Sequence, residues 1–281
     1  MSAPAALAGW KAYAALVACG GRLRTPPGFE AGAWRYAGTE PVWLGRGSPP
    51  AHPRSLCLGD DAPATTIDLS RLEAGEPELP LPRALDRTRL APGAMALAAR
   101  CREIGEPRGL AVLLEDRLPP FPLSAADAPV RALAQAAGDD DPGSALGPAH
   151  ALLGLGPGLT PSGDDVVGGL LFARRMLADA PAWEPVAASL ALAAHTRTHA
   201  ISAALLADLA AGHGHAALHR VARALANGAD PLPAARELAG LGHASGWEML
   251  AGLLIGLAGP ALFCARCETT PLRFPCSPPA P

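Results

Sequence analysis

The sequence predicts an α+β fold, in which a small β-rich N-terminal part is followed by a mainly helical C-terminal domain. Between residues 33 and 69, short apolar segments alternate with clusters of Gly, Pro and Ser, which is typical of strands joined by turns. After Leu123 the apolar segments are longer and end near Gly, Asn or Pro, which is typical of helices. We therefore expect a β-rich domain at 1–75, a connector with one helix at 76–123, a helical domain at 124–269 and a loose tail at 270–281.

The N-terminal strands are predicted from four segments, AWRYAG, PVWLG, RSLCLG and TTIDLS, each short enough to form one strand. Residues 73–93 are rich in Pro, Glu and Arg, which favours a connector, and a helix is expected at 94–104. The apolar run GLAVLLED at 109–116 is too short for its periodicity to distinguish helix from strand.

The C-terminal half predicts helices at 128–137, 162–177, 185–211, 215–226 and 248–257. The apolar run at 249–265 is close to the shortest length that spans a membrane, but three glycines and a proline interrupt it. We therefore expect a buried core helix at this position rather than a membrane segment.

Charge and composition argue against nucleic acid or a membrane as a partner. The formal net charge is −3, Lys11 is the only lysine, and the arginines form no basic block. Residues 1–21 lack a basic start and Lys11 interrupts their apolar stretch, so no signal peptide is predicted and we expect a cytoplasmic protein. The cysteines are scattered, and Cys264, Cys267 and Cys276 lack a fourth ligand for zinc, so we expect reduced thiols.

The stretch GLGPGLTPSGDDVVGGLL, at 154–171, predicts the start of a helix. Thr160 can act as N-cap before a proline, or Ser162 can form a capping box in which Asp165 replaces the usual Glu or Gln. Both registers remain open at this point. Asp164 and Asp165 lie in the first turn in either case, where the helix dipole favours negative charge.

Capping does not explain the glycines that precede this helix. Glycines at a helix start allow backbone N–H groups to approach an anion, so we expect a ligand to contact Gly156, Gly158, Thr160, Ser162 and Gly163. Because two aspartates would repel a bare phosphate, two alternatives remain open. Either Mg²⁺ bridges the anion and the carboxylates, or a carbamoyl NH₂ of the ligand contacts a carboxylate.

A second stretch, SGWEMLAGLLIG at 245–256, repeats the pattern of SGDDVVGGLLFA at 162–173. Both have Ser, Gly, an acid at the fourth position, Gly at the eighth and two leucines after it. Ser245 and Glu248 form a full capping-box pattern. We predict that the two helices pack closely through small residues and that their N-termini meet around a site containing Ser245, Gly246 and Glu248. His243 is the candidate acid or base. The alternative is that the glycines serve packing alone.

Histidines and hydroxyls lie between the two copies. His195 and His199 have the spacing of paired metal ligands on one helix, but Thr196 replaces the Glu of a zincin motif, and surface histidines are the alternative. Thr198 and Ser202 are one turn apart and are expected to face a polar ligand. The three histidines at 213, 215 and 219 predict a solvated helix junction. No Gly-x-Ser-x-Gly motif supports a hydrolase.

Three segments, GLGPGLTPSGDD, THAIS and GHASGWE, together resemble a bacterial domain-of-unknown-function family numbered 2877. The resemblance is strongest over residues 154–256. One group in that family is similar to a subunit of the oxamate carbamoyltransferase of anaerobic allantoin breakdown, a part of purine catabolism. With other subunits, that enzyme interconverts oxalurate plus phosphate with oxamate plus carbamoyl phosphate. The resemblance therefore implies a small anionic carbamoyl, carboxylate or phosphate ligand and further subunits as partners.

Three hypotheses follow. The first is a carbamoyltransferase subunit in which glycine-rich amides hold an anion, Asp164 and Asp165 orient an amide or a metal ion, and His243 donates a proton. The second is a non-catalytic subunit that binds a metabolite or acts as a scaffold. The third is a purely structural role for both capped helices.

Overall fold

The computed structural model describes residues 6–25, 33–46, 52–58, 65–75, 81 and 84–264. Within these residues a small five-stranded sheet is followed by a mostly helical region, which confirms the predicted α+β class. The expected tail at 270–281 and the cysteines Cys267 and Cys276 lie outside the described residues.

The sheet has the strand order β2-β3-β4-β1-β5. Its strands are β1 Ala6–Ala8, β2 Trp34–Ala37, β3 Glu40–Arg46, β4 Ser55–Leu58 and β5 Leu72–Ala74. The β2–β3 and β1–β4 pairs are antiparallel, whereas β3–β4 and β1–β5 are parallel. Three of the four predicted segments coincide with β2, β3 and β4. The prediction for TTIDLS is wrong, because this segment makes only an isolated bridge at Thr66 before a 3-10 helix at Leu69–Arg71.

The hairpin of β2 and β3 places Trp34 directly opposite Trp43. Cross-strand aromatic pairs of this kind stabilise a sheet because their side chains lie on the same face. The apolar side of the sheet packs with helix α1, Trp10–Ala18, around Leu16, Val42 and Leu56, all of which are fully buried. The sequence did not predict α1.

The helical region contains most of the buried residues. Its α-helices are α2 Arg87–Ala99, α3 Cys101–Ile104, α4 Asp127–Gly138, α5 Pro142–Leu152, α6 Ser162–Arg175, α7 Ala180–Arg197, α8 Ala200–Ala210, α9 Ala216–Asn227, α10 Leu232–Ala239, α11 Ser245–Ala258 and α12 Ala261–Cys264. The undecided run GLAVLLED forms a 3-10 helix, Gly109–Glu115. Both this segment and α2 pack on α11, so part of the expected connector belongs to the helical core.

Helices α6 and α11 are the centre of the helical region, and small residues let them pack closely, as predicted. A Cβ atom added to Gly169 would lie 2.3 Å from the carbonyl oxygen of Met249, and one added to Gly252 would lie 2.1 Å from that of Val166. Because backbone atoms face both positions, any side chain would force the helices apart. Gly246 to Ala258 are all buried, which confirms the core helix expected from the apolar run.

The predicted long helix at 185–211 is wrong, since the chain breaks into α7 and α8 at Thr198 and His199. Thr198 is extended, and the His199 side chain caps α8 by accepting a hydrogen bond from the Ile201 amide. His195 and His199 therefore do not share a helical face. The break matters for the site because it turns the Thr198 hydroxyl towards α6.

A buried ion cluster of Lys11, Arg54 and Asp208 joins the sheet region to the helices. Asp208, on α8, has no solvent exposure and accepts hydrogen bonds from Arg54 Nε at 2.6 Å and from a second Arg54 nitrogen at 3.1 Å. Lys11 also contacts this carboxylate. The bidentate geometry satisfies both Asp208 oxygens and holds the sheet against α8. None of the helices in the described part of the chain is long and apolar enough to cross a bilayer.

Candidate functional site

The N-terminal ends of α6 and α11 are linked by reciprocal contacts between the two copies of the Ser-Gly-x-acid pattern. Ser162 of the first copy hydrogen-bonds Glu248 of the second, and Ser245 of the second hydrogen-bonds Asp165 of the first. The predicted capping boxes are therefore wrong. Neither helix has a side-chain N-cap hydrogen bond, because each serine lies inside its helix and bonds the acid of the neighbouring helix.

The glycines of the two copies, Gly163 and Gly246, also have matching environments. A Cβ added to Gly163 would lie 2.0 Å from the Leu152 carbonyl oxygen, and one added to Gly246 would lie 1.7 Å from that of Leu238. Both glycine amides donate to backbone carbonyls, at 2.9 Å and 3.1 Å respectively. Both residues were predicted to contact a ligand, but the structure places them against preceding helices.

The anion cradle expected from the amides of Gly156, Gly158 and Ser162 stays a prediction, because the backbone hydrogen bonds at the start of α6 involve other amides. Besides Gly163, the amides of Asp164 and Asp165 donate to the Pro161 carbonyl at 3.0 Å and 3.3 Å. The loop itself covers the helix start, because a Cβ added to Gly156 would lie 2.7 Å from the Ser162 nitrogen. Gly158 is exposed, and no atom of the described residues lies within 4 Å of its Cβ position.

Asp164 organises the loop around the site. One carboxylate oxygen accepts from the Gly154 amide at 2.8 Å, and the other accepts from the hydroxyls of Ser202, at 2.7 Å, and Thr198. The residue is only 2% exposed. Gly154 needs to be glycine here, since its φ is +78° and a Cβ would lie 2.3 Å from the Arg197 carbonyl oxygen. The hydroxyl pair predicted to face a ligand therefore faces Asp164.

Asp165, at the start of α6, is incompletely paired. It is 5% exposed, and its Oδ2 atom is enclosed without a hydrogen-bond partner among the described residues. Burial raises the pKa of this carboxyl well above its usual range, and the nearby acids Glu248 and Asp164 raise it further, whereas the Ser245 hydrogen bond lowers it. An enclosed polar atom of this kind is costly to fold unless a ligand or water pairs with it.

A cavity of about 150 Å³ lies at the paired helix starts, and Asp165 lines it together with Thr160 and Ser245. The hydroxyls of Thr160 and Ser245 are 3.0 Å apart and link the two helix starts. The remaining lining is mainly apolar and aromatic. Since single waters need only ~10–15 Å³ and drug-sized ligands need ~300–1,000 Å³, the volume fits a small metabolite.

Residues 152–257 match the family model described as oxamate carbamoyltransferase subunit AllH. This AllH segment contains α6, α11 and every site residue predicted from the sequence, so the resemblance to an oxamate carbamoyltransferase subunit is confirmed over this part of the chain. No curated protein and no solved structure matches the chain.

The sheet supplies part of the cavity from outside the AllH segment. Trp34 and Trp43 of the sheet, and His52 shortly before β4, line it together with residues of α8 and α11, and His215 of the AllH segment completes an aromatic wall formed by these four residues. The His52 and His215 rings are 4.5 Å apart between centroids, and Trp43 contacts His215 edge-on at 6.4 Å. Sequence reasoning assigned no site residue to the sheet, although its paired tryptophans were visible in two adjacent strand segments.

The histidines of the aromatic wall are held in the neutral form. Burial lowers the pKa of His52 well below its usual value, and His215, Arg54 and Lys11 lower it further. Burial likewise lowers the pKa of His215 to about 4, with a smaller contribution from His219. The predicted solvated junction at 213–219 is wrong, because His219 is fully buried against Phe172 and His215 lines the cavity.

Two further predictions concern His243 and Mg²⁺. The structure does not bring His243 to the cavity, since the residue is exposed and is not among the lining residues, although Gly242 and Ser245 are. Both Asp164 oxygens already accept protein hydrogen bonds, and a magnesium ion between the aspartates stays a prediction. The described residues contain no group of three His, Cys, Asp or Glu side chains that could hold a metal ion.

Proposed function

We propose that the chain is a subunit of a carbamoyltransferase-like enzyme that acts on small carbamoyl or carboxylate compounds of the oxamate and oxalurate type. The match of the AllH segment supports the type of enzyme. The single observation that carries the choice of site is Asp165, a buried acid with an unpaired oxygen at a small cavity between the paired helix starts.

The residues divide into two roles in this proposal. Asp165, Ser245 and Thr160 contact the ligand, because they supply the polar groups that line the cavity. Asp164 and Glu248 are positioning residues, because their hydrogen bonds fix the Gly154 loop and the start of α6. We assign no role to His243. Further subunits would supply the groups for phosphate, since no Arg or Lys occurs among the described residues that line the cavity.

The test is carbamoyl transfer by the purified chain, alone and with candidate partner subunits, from carbamoyl phosphate to oxamate. We expect oxalurate to form only with the partners, and we expect Asp165→Leu to lower the rate at least ~100-fold, as loss of a substrate-orienting group does. Glu115→Gln, a change at another buried acid that contacts Arg102 and does not line the cavity, is the matched control and should leave the rate unchanged.

Failure to detect product in any combination would contradict the proposal. If oxamate nevertheless binds to the wild-type chain and fails to bind Asp165→Leu, the second hypothesis, a non-catalytic metabolite-binding subunit, would replace it. Binding is measured separately, by calorimetry, so that the two results are independent.

A further inference from the structure

We propose that the cavity binds the planar, uncharged amide end of its ligand between Asp165 and the aromatic wall of Trp34, Trp43, His52 and His215. This inference rests on the proposed function only in placing the ligand in this cavity. It goes further by stating which end of the ligand enters the cavity. It also assigns ligand specificity to Trp34, Trp43 and His52, which lie outside the AllH segment.

The charges around the cavity exclude an anionic group at its inner end. The two nearest cations of the sheet region, Lys11 and Arg54, already contact Asp208. His52 and His215 are neutral at pH 7, because both have lowered pKa values. A carboxylate or phosphate in this position would therefore lose its hydration without gaining a positive partner.

The polar atoms that lack partners match an amide. Asp165 Oδ2 and His215 Nδ1 are both enclosed and have no hydrogen-bond partner among the described residues, and both residues line the cavity. A carboxyl group in its neutral form offers one O–H donor and one carbonyl acceptor, and a primary amide offers the complementary pair. If Asp165 is ionised instead, it still accepts the amide N–H, so the preference for a nitrogen donor holds in either form.

The aromatic wall suits a planar group. Tryptophan and imidazole rings provide a flat, apolar contact area. An uncharged amide can pack against it without the cost of removing water from a charged group. Trp34 and Trp43 face each other across β2 and β3, which fixes the wall as one surface. The ion cluster of Lys11, Arg54 and Asp208 joins this sheet to α8, which also lines the cavity through Leu205 and Leu209.

Three compounds of nearly equal size test the inference. Oxamide carries two amides, oxamate carries one amide and one carboxylate, and oxalate carries two carboxylates. We expect calorimetry to show that the wild-type chain binds oxamide and oxamate at least about tenfold more tightly than oxalate, the ratio expected from one buried hydrogen bond. Equal or tighter binding of oxalate would overturn the inference, as would a failure of all three to bind.

Matched variants separate the two sides of the cavity. Asp165→Leu should abolish binding of oxamide, whereas Asp165→Asn should retain it, because an Asn side chain also pairs with an amide at two points. Asp165→Leu replaces a buried acid by an apolar group of similar volume, so it should remain folded. Trp43→Leu should weaken oxamide binding about tenfold. Trp10→Leu should leave oxamide binding unchanged, because Trp10 contacts His213 and does not line the cavity.

Equal effects of Trp43→Leu and Trp10→Leu would overturn the role of the aromatic wall. Unchanged binding of oxamide to Asp165→Leu would overturn the role of Asp165. The proposed function fails by a different result, the absence of carbamoyl transfer, and a preference for amides would survive that result.

Discussion

The close contact between α6 and α11 makes a quantitative prediction for Gly252→Ala. The added Cβ would lie 2.1 Å from the Val166 carbonyl oxygen and 2.9 Å from the Leu170 nitrogen. The first distance is roughly 1.3 Å shorter than an ordinary van der Waals contact, and backbone atoms cannot rotate away as a side chain can. The two helices must therefore separate at this point.

The expected loss of stability follows from two destabilising effects and one stabilising effect. Overpacking of a core costs about 1–3 kcal/mol, and this backbone contact belongs at the upper end of that range. Separation also weakens the reciprocal hydrogen bonds of Ser162 and Ser245, each worth about 1 kcal/mol. Alanine favours the helix over glycine by about 1 kcal/mol. We expect Gly252→Ala to lower the free energy of unfolding by about 2–4 kcal/mol, and complete loss of both hydrogen bonds gives the upper value.

Urea denaturation of the wild-type chain and two variants measures this effect. Gly93→Ala, in the middle of α2, is the matched control, because among the described residues its Cβ would meet only a Leu225 methyl group, at 3.3 Å. That variant should change the free energy of unfolding by less than about 1 kcal/mol. The reasoning would be refuted if Gly252→Ala were as stable as Gly93→Ala.

Three further predictions concern the acids and the ion cluster. Asp164→Ala should lower the unfolding free energy in urea by about 2–3 kcal/mol, because the buried Gly154 amide and the Ser202 hydroxyl lose their acceptor; unchanged stability would contradict the hydrogen bonds described. Arg54→Met should lower the free energy of unfolding by about 3–5 kcal/mol, because Asp208 then stays buried with one partner fewer. The double variant Arg54→Met with Asp208→Leu should regain most of this stability, whereas a simple cavity effect would not be reversed by the second change. The pKa of Asp165 is raised in the folded state, so its stabilising contribution is present below the unfolded pKa of 3.8 and is lost as pH rises towards the folded pKa. The Asp165→Asn variant should therefore gain stability relative to wild type as pH rises, by up to about 1.4 kcal/mol per pH unit. A difference that is independent of pH would refute the last prediction.

The sequence could predict the paired helices because their pattern is local. Each copy of Ser-Gly-x-acid precedes glycines at matching turns, and such small residues allow helices to approach in any fold that brings them together. The break between α7 and α8 was not predictable in the same way. Residues 185–211 have no internal glycine or proline after Pro185, and the break depends on bonds from Thr198 and Ser202 to the distant Asp164.

The serines and the cavity show the limit of local reasoning most clearly. A capping box is a contact within one helix, whereas Ser162 and Ser245 each bond the acid of the other helix, and only the tertiary structure decides between the two. Likewise, Trp34 and Trp43 of the sheet and the nearby His52 reach the cavity through contacts between parts of the chain more than a hundred residues apart. Their residue types alone, in short strands, indicate only a stable hairpin.

A crystal structure of the chain with oxamide tests the central claim most directly. The account predicts density for the ligand in the cavity at the starts of α6 and α11, with an amide nitrogen within hydrogen-bonding distance of the Asp165 carboxyl group and the ligand plane against Trp43. Density for oxamide at the exposed Gly158 loop or beside His243, with no ligand at Asp165, would contradict the account.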